Sequence, residues 1–89
     1  MANARKILIV DDDTDLRETL VEQFALHEEF EALSADTGAK GIAAAKSESP
    51  DLVLMDVGLP DTDGREVVRG LRKGGFTAPI IMLTGHDTD

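Results

Sequence analysis

Aspartates follow two of the apolar runs in this sequence, and a threonine follows another. Asp11 and Asp12 come directly after the first run, Asp56 ends the third, and Thr84 follows the fourth. Carboxylates that gather without a lysine or an arginine repel one another, and a divalent cation relieves that repulsion. Oxygen ligands favour Mg²⁺ or Mn²⁺, to which Gly58 could add a backbone carbonyl. A carboxylate beside Mg²⁺ is also a nucleophile that forms aspartyl phosphates, and Thr84 could then donate its hydroxyl to the transferred group.

The apolar runs have the length and composition of short strands. The run at residues 52–55 is apolar throughout and is bounded by turn residues, as in a strand that is buried on both faces. Similar runs predict strands at residues 6–10 and 78–83, and alternation of apolar and polar residues predicts an edge strand at 30–35. Apolar residues at helical spacing predict three helices between the strands, at residues 14–27, 39–47 and 65–73.

This alternation of strands and helices predicts an α/β fold with a doubly wound parallel sheet. Each strand would be joined to the next by a right-handed crossover through a helix. Ligands of open parallel sheets bind outside the carboxyl ends of the strands. If strands one, three and four are neighbours, the aspartates and Thr84 share that edge of the sheet.

An aspartate after a strand also has a simpler interpretation, because aspartate often caps helices and forms turns. We assign Asp13 to capping of the first helix. For Asp61 and Asp63 we expect turn or capping roles, and Thr84 taken alone could be a turn residue. Three strand ends that together carry oxygen ligands are harder to explain by capping.

Composition narrows the range of functions. The chain has 89 residues, enough for one small domain, and a formal net charge of −9. This acidity repels phosphate backbones, so we expect no nucleic-acid contact by this chain itself. The absence of cysteine excludes thiolate metal sites and thiol nucleophiles and fits a cytoplasmic protein. No apolar segment approaches the roughly 18 residues of a membrane span, so we expect no membrane contact.

Two other kinds of acidic site fit the sequence less well. A Mg²⁺-dependent phosphatase that works through aspartyl phosphate would have Thr or Val at the position of Asp15, and it would need a longer catalytic domain. A calcium loop with aspartates at alternate positions would have glycine at the position of Leu16. It would also follow a helix, whereas these aspartates follow a predicted strand.

Three motifs, taken together, resemble the receiver domain of two-component response regulators. They match that family in order over the whole chain. The motifs are Val10-Asp11-Asp12, then Asp56 with Leu59-Pro60 and Gly64, and finally Leu83-Thr84-Gly85. The resemblance implies a flavodoxin-like receiver fold, whose five strands lie in the order 2-1-3-4-5.

The resemblance also implies a role for each site residue. Asp56 would be the phosphoacceptor that receives a phosphoryl group from a sensor histidine kinase. Asp11 and Asp12, together with Asp56, would place Mg²⁺, and the backbone carbonyl of Gly58 would be a further ligand. Thr84 would be the switch hydroxyl that moves towards the phosphoryl group. The implied role is that of a phosphorylated signalling domain, not of an enzyme.

The resemblance is incomplete, because the chain stops in the loop after the fourth strand. The family's last two helices, its fifth strand and the lysine on that strand have no counterpart here. We therefore expect residues 1–89 to be the N-terminal portion of a receiver domain, truncated from a longer regulator with a transcriptional, DNA-binding output module. We also expect the uncovered edge to promote self-association, and the missing lysine to impair phosphotransfer. A receiver-like module that only binds proteins is the alternative function.

Overall fold

The computed structural model of the chain describes residues 4–83. Four strands and three helices alternate along these residues, in the order predicted from the sequence. They are β1 (Arg5–Val10), α1 (Thr14–Ala25), β2 (Phe30–Ala35), α2 (Gly38–Glu48), β3 (Leu52–Asp56), α3 (Gly64–Lys73) and β4 (Ile80–Leu83).

The four strands form one parallel sheet in the order β2-β1-β3-β4. This order confirms the predicted doubly wound topology and the edge position of β2. It also makes β1, β3 and β4 successive neighbours, as the convergence of the site residues requires. Val10 of β1 lies opposite Met55 of β3, and Asp56 lies opposite Leu83 of β4. The ends of these three strands are therefore level with one another.

The central strands carry continuous apolar runs because both faces of the sheet are covered. Leu8, Val53 and Met55 face α2 and α3, in a core that includes Val67 and Leu71. The alternate residues of the same strands face the other way. They pack against side chains of α1, and they are Ile7, Ile9 and Leu54. Successive side chains of a strand point to opposite faces, so a strand buried on both sides reads as a continuous apolar run.

Two element boundaries differ by two residues from the predicted ones, for identifiable reasons, and the other differences are of one residue. The helix α1 ends at Ala25, two residues before the predicted end. The amides of Leu26 and His27 donate to carbonyls three residues before them, instead of four as in an α-helix. Such bonds tighten the last turn of a helix and end it. The strand β4 begins at Ile80 instead of residue 78. The preceding Pro79 has no amide proton to donate to the sheet, although its carbonyl accepts from Val53.

The strand β4 pairs with one neighbour, β3, among the residues that the structure describes. Its Ile81 side chain is 51% exposed, and Leu16 of α1 is 42% exposed. Between residues 4 and 83, none of the helices has the length and apolar character that a membrane span requires.

Candidate metal centre

The sheet brings three aspartates together at the carboxyl ends of its central strands. Asp11 and Asp12 follow β1 directly, and Asp56 is the last residue of the neighbouring β3. Each side chain offers a carboxylate oxygen, and the three oxygens lie within 4.8 Å of one another. The convergence predicted for these three residues is therefore present in the fold. Its cause is the sheet order, because residues that are 45 positions apart in the chain end adjacent parallel strands.

Asp11 is the most buried member of this group, with an exposed fraction of 3%. Burial raises the pKa of its carboxyl group, and the negative charges of Asp56 and Asp12 raise it further. A hydrogen bond of 2.8 Å from the amide of Asp13 to Asp11 Oδ1 acts in the opposite direction but does not cancel these effects. An ionised Asp11 is thus held in an environment that disfavours its charge.

The carboxylates have little compensation from basic side chains. Among the described residues, no lysine or arginine forms an ion pair with Asp11, Asp12 or Asp56. Arg17 contacts the group only through the backbone, since its Nη1 donates to the carbonyl of Asp11 at 2.7 Å. Hard oxygen donors with uncompensated negative charge fit a small divalent cation. The group could therefore hold a metal ion, as its composition predicts.

The loop after β3 is closed tightly against Asp56. The amide of Gly64 donates to the carbonyl of Val57 at 2.7 Å, and Gly58 and Asp63 form an antiparallel bridge. A β-carbon at Gly64 would overlap the backbone carbonyl oxygen of Asp56, so only glycine permits this approach. The position of Gly58 has no such crowding, since a β-carbon there would meet nothing within 4 Å.

Two predicted positions lie outside the described residues, namely Thr84 and the adjacent Gly85. The last described residue, Leu83, pairs with Asp56 in the sheet. The switch role of Thr84 accordingly remains a prediction.

Asp13, Asp61 and Asp63, for which capping or turn roles are expected, all accept hydrogen bonds from amides at the starts of helices. The side chain of Asp13 accepts from the amide of Leu16 in α1, and that of Asp63 accepts from the amide of Arg65 in α3. Asp61 differs from both, because its carboxylate accepts from two amides at the start of α2 instead of from its own loop. These two bonds lower the pKa of Asp61.

Sequence reasoning missed the contacts of Arg17 and Asp61. Both residues look like ordinary solvent-facing charges; the partners of Asp61 lie in another helix, and that of Arg17 lies in the loop before its own helix. The only local signal was the acidic character of the loop after β3, which is equally typical of turns.

Comparison with known proteins supports the assignment drawn from the motifs. A family profile described as the response regulator receiver domain matches residues 7–89. The chain is 36% identical over 85 residues to the alkaline phosphatase synthesis transcriptional regulatory protein PhoP of Bacillus subtilis. This match covers 96% of the chain and 35% of PhoP.

A second curated relative and a solved structure agree with the first. The transcriptional regulatory protein KdpE of Mycobacterium tuberculosis is 37% identical over 80 residues, which are 90% of the chain and 34% of KdpE. The BeF3-activated N-terminal receiver domain of Klebsiella pneumoniae RstA is 33% identical, with a TM-score of 0.85. That match covers 96% of the chain and 71% of the solved domain. The chain spans about a third of the length of these curated relatives, and it belongs to the response regulator receiver domain family.

Proposed function

We propose that this chain is the N-terminal portion of a receiver domain that accepts a phosphoryl group on Asp56 in two-component signal transduction. The observation that carries the proposal is the convergence of Asp11, Asp12 and Asp56 at one edge of the sheet, within 4.8 Å. The sensor histidine kinase would be the donor and the partner of the chain. The protein would be cytoplasmic, and its output would be transcriptional, as the names of PhoP and KdpE suggest.

Asp56 is the best placed of the three carboxylates to act as the nucleophile. It ends the central strand β3 and is partly buried, and its backbone is held by pairing with Leu83. A carboxylate oxygen of Asp56 would attack the phosphorus atom and form a new O–P bond. The N–P bond of a phosphohistidine would break at the same time, and its electron pair would return to the imidazole nitrogen.

Asp11 and Asp12 would hold Mg²⁺, or Mn²⁺, beside Asp56, with the Gly58 carbonyl as a further ligand. Mg²⁺ binds few carboxylates and keeps several waters, which suits a site that is exposed at Asp12. When bound, the cation would neutralise charge on the phosphoryl oxygens. The three carboxylates alone would repel an incoming phosphoryl group, so acceptance would depend on the cation. Thr84 would donate its hydroxyl to the phosphoryl group after transfer.

Intact-mass analysis tests this proposal directly. The chain is incubated with acetyl phosphate, with Mg²⁺ or with EDTA. We expect one added phosphoryl group with Mg²⁺, formed slowly because the family's lysine has no counterpart here, and none with EDTA. Asp56→Asn should remove the addition, whereas Asp15→Asn, which changes an exposed aspartate of α1, should retain it.

Two results would count against the proposal. A phosphoryl group that persists in Asp56→Asn would place the modification on another residue. No addition to the wild-type chain at any Mg²⁺ concentration would favour a module that only binds proteins.

A further inference from the structure

The loop between β3 and α3 is joined to a third element, the helix α2, by two hydrogen bonds that a single side chain accepts. Asp61 accepts hydrogen bonds from the backbone amides of Gly38 at 2.7 Å and of Ala39 at 3.0 Å. One carboxylate oxygen serves each amide. Asp61 is 23 residues from Gly38 in the sequence, so the contact joins two separate crossover units of the fold.

These bonds complete the N-terminus of α2. The first amides of a helix have no partner within the helix. Thr37 caps α2 locally, and its hydroxyl accepts from the amide of Lys40 at 3.1 Å. The amides of Gly38 and Ala39 are left for Asp61, whose negative charge also suits the positive end of the helix dipole. Thr37 and Asp61 therefore share one helix end but serve different amides.

The packing around Gly38 shows that the approach is close. Gly38 is buried, and a β-carbon there would overlap the side-chain methyl of Thr62. It would also lie 3.2 Å from Asp61 Oδ1. Glycine at position 38 thus lets the tip of the loop, residues 61 and 62, rest on α2.

The other attachments of this loop are the two backbone contacts at its base, which close it on itself, and the side chain of Leu59, which is buried in the core beside α2 and α3. None of these holds the tip, residues 61 and 62. Asp61 restrains the tip against α2, which belongs to a separate crossover unit. We propose that Asp61 is a positioning residue that holds the loop, and with it the Gly58 carbonyl, in the geometry that binds the divalent cation. This inference rests on the proposed function, since it concerns the cation site of that function.

The test compares Mg²⁺ affinity between variants of the two residues whose side chains cap the N-terminus of α2, Asp61 and Thr37. Asp61→Ala removes both the helix-end acceptor and the tether to the loop. Thr37→Ala removes an acceptor from the same helix end and leaves the tether in place. Mg²⁺ binding is titrated by the chemical shifts of backbone amides at the strand ends, and the urea midpoint is measured for each variant.

We expect both variants to have lower urea midpoints, because both remove a helix cap. Mg²⁺ affinity should fall about tenfold in Asp61→Ala, the lower end of the range for residues that support metal ligands. It should stay within about twofold of wild type in Thr37→Ala. Asp61→Asn, which keeps one carbonyl acceptor, is the variant to use if Asp61→Ala does not fold, and an intermediate loss is expected there.

The outcomes separate this inference from the proposed function. If the wild-type chain binds Mg²⁺ and the Asp61 variants bind it equally well, the positioning role is wrong and the proposed function stands. Equal losses of affinity in Thr37→Ala and Asp61→Ala would also overturn it, because loss of the cap alone would then explain both. A wild-type chain that binds no Mg²⁺ would overturn both ideas, and Asp12→Asn supplies the reference for a lost site.

Discussion

Replacing Asp11 by asparagine should stabilise the metal-free chain. Asp11 is buried beside two other carboxylates, and its ionised form is disfavoured by burial and by their charge. Asparagine has nearly the same shape and keeps an oxygen that can accept from the amide of Asp13. The substitution therefore removes the unfavourable charge and retains the local hydrogen bond.

The size of this effect follows from the separation of the carboxylates. At 4.8 Å, two unit charges repel by about 3.5 kcal/mol at an effective dielectric constant of about 20. Asp12 is exposed and Asp56 is only partly buried, so solvent screens much of this repulsion. We expect a net gain of about 1–2 kcal/mol in the free energy of unfolding. For a domain of this size, that gain corresponds to a rise of about 5–15 °C in Tm.

Thermal or urea unfolding with EDTA and with Mg²⁺ checks this prediction. With EDTA, Asp11→Asn should be the more stable chain. With Mg²⁺ at ten times its Kd, the wild type should gain about 1.4 kcal/mol by mass action, and Asp11→Asn should gain almost nothing. An Asp11→Asn chain that is less stable in EDTA, or that gains as much from Mg²⁺ as wild type, would refute the reasoning.

The same substitution has a defined pH dependence. The folded pKa of Asp11 is raised above its ordinary value of 3.8, so the folded chain binds this proton more tightly than the unfolded chain. Stability from this group is complete below 3.8 and is lost as pH rises through the raised pKa. The advantage of Asp11→Asn in EDTA should therefore shrink as the solution is acidified. An advantage that is constant down to pH 3 would show that charge is not its cause.

Three further predictions concern the loop, a helix cap and the edge of the sheet at β4. In urea unfolding, Gly64→Ala should lower the free energy of unfolding by about 2–4 kcal/mol, because the new β-carbon would overlap the Asp56 carbonyl. Gly70→Ala, in the same helix, places its β-carbon in open space, so this variant should be neutral or more stable by up to about 1 kcal/mol. Hydrogen bonds from the side chain and the backbone amide of Arg65 lower the pKa of Asp63 to about 2. The stability that this ionised carboxylate contributes above pH 4 should therefore be lost between about pH 4 and 2. Urea midpoints should fall less over that range in Asp63→Asn than in the wild type. The chain should associate at high concentration through the β4 edge, where Ile81 is exposed. In light scattering, Ile81→Lys should shift the mass towards that of the monomer. A wild-type mass that is monomeric at every concentration would argue against association.

The element order was predictable because each element is encoded by its own residues. Continuous apolar runs marked the strands buried on both faces, and the alternation at residues 30–35 marked the edge strand β2. Asp13 and Asp63 cap the helices that follow them, since a cap is a bond between near neighbours in the chain. Boundaries such as the end of α1 were less predictable, because they depend on how the last turn tightens.

The candidate site was predictable in part. Aspartates at the ends of two strands are visible in the sequence, and a parallel sheet in which those strands are neighbours brings them together. The contact of Asp61 with α2 and that of Arg17 with the Asp11 carbonyl were not predictable. Each joins a charged side chain to a backbone group outside its own element, and many pairings of this kind are compatible with the same sequence pattern.

The sequence by itself determined the order of strands and helices, the local caps and the identity of the acidic residues. These depend on periodicity and on hydrogen bonds between close neighbours. Only the tertiary structure decided that Asp11, Asp12 and Asp56 lie within 4.8 Å, and that the loop after Asp56 rests on α2. Both outcomes depend on strand order and helix placement, because distances between residues far apart in the chain are set by packing.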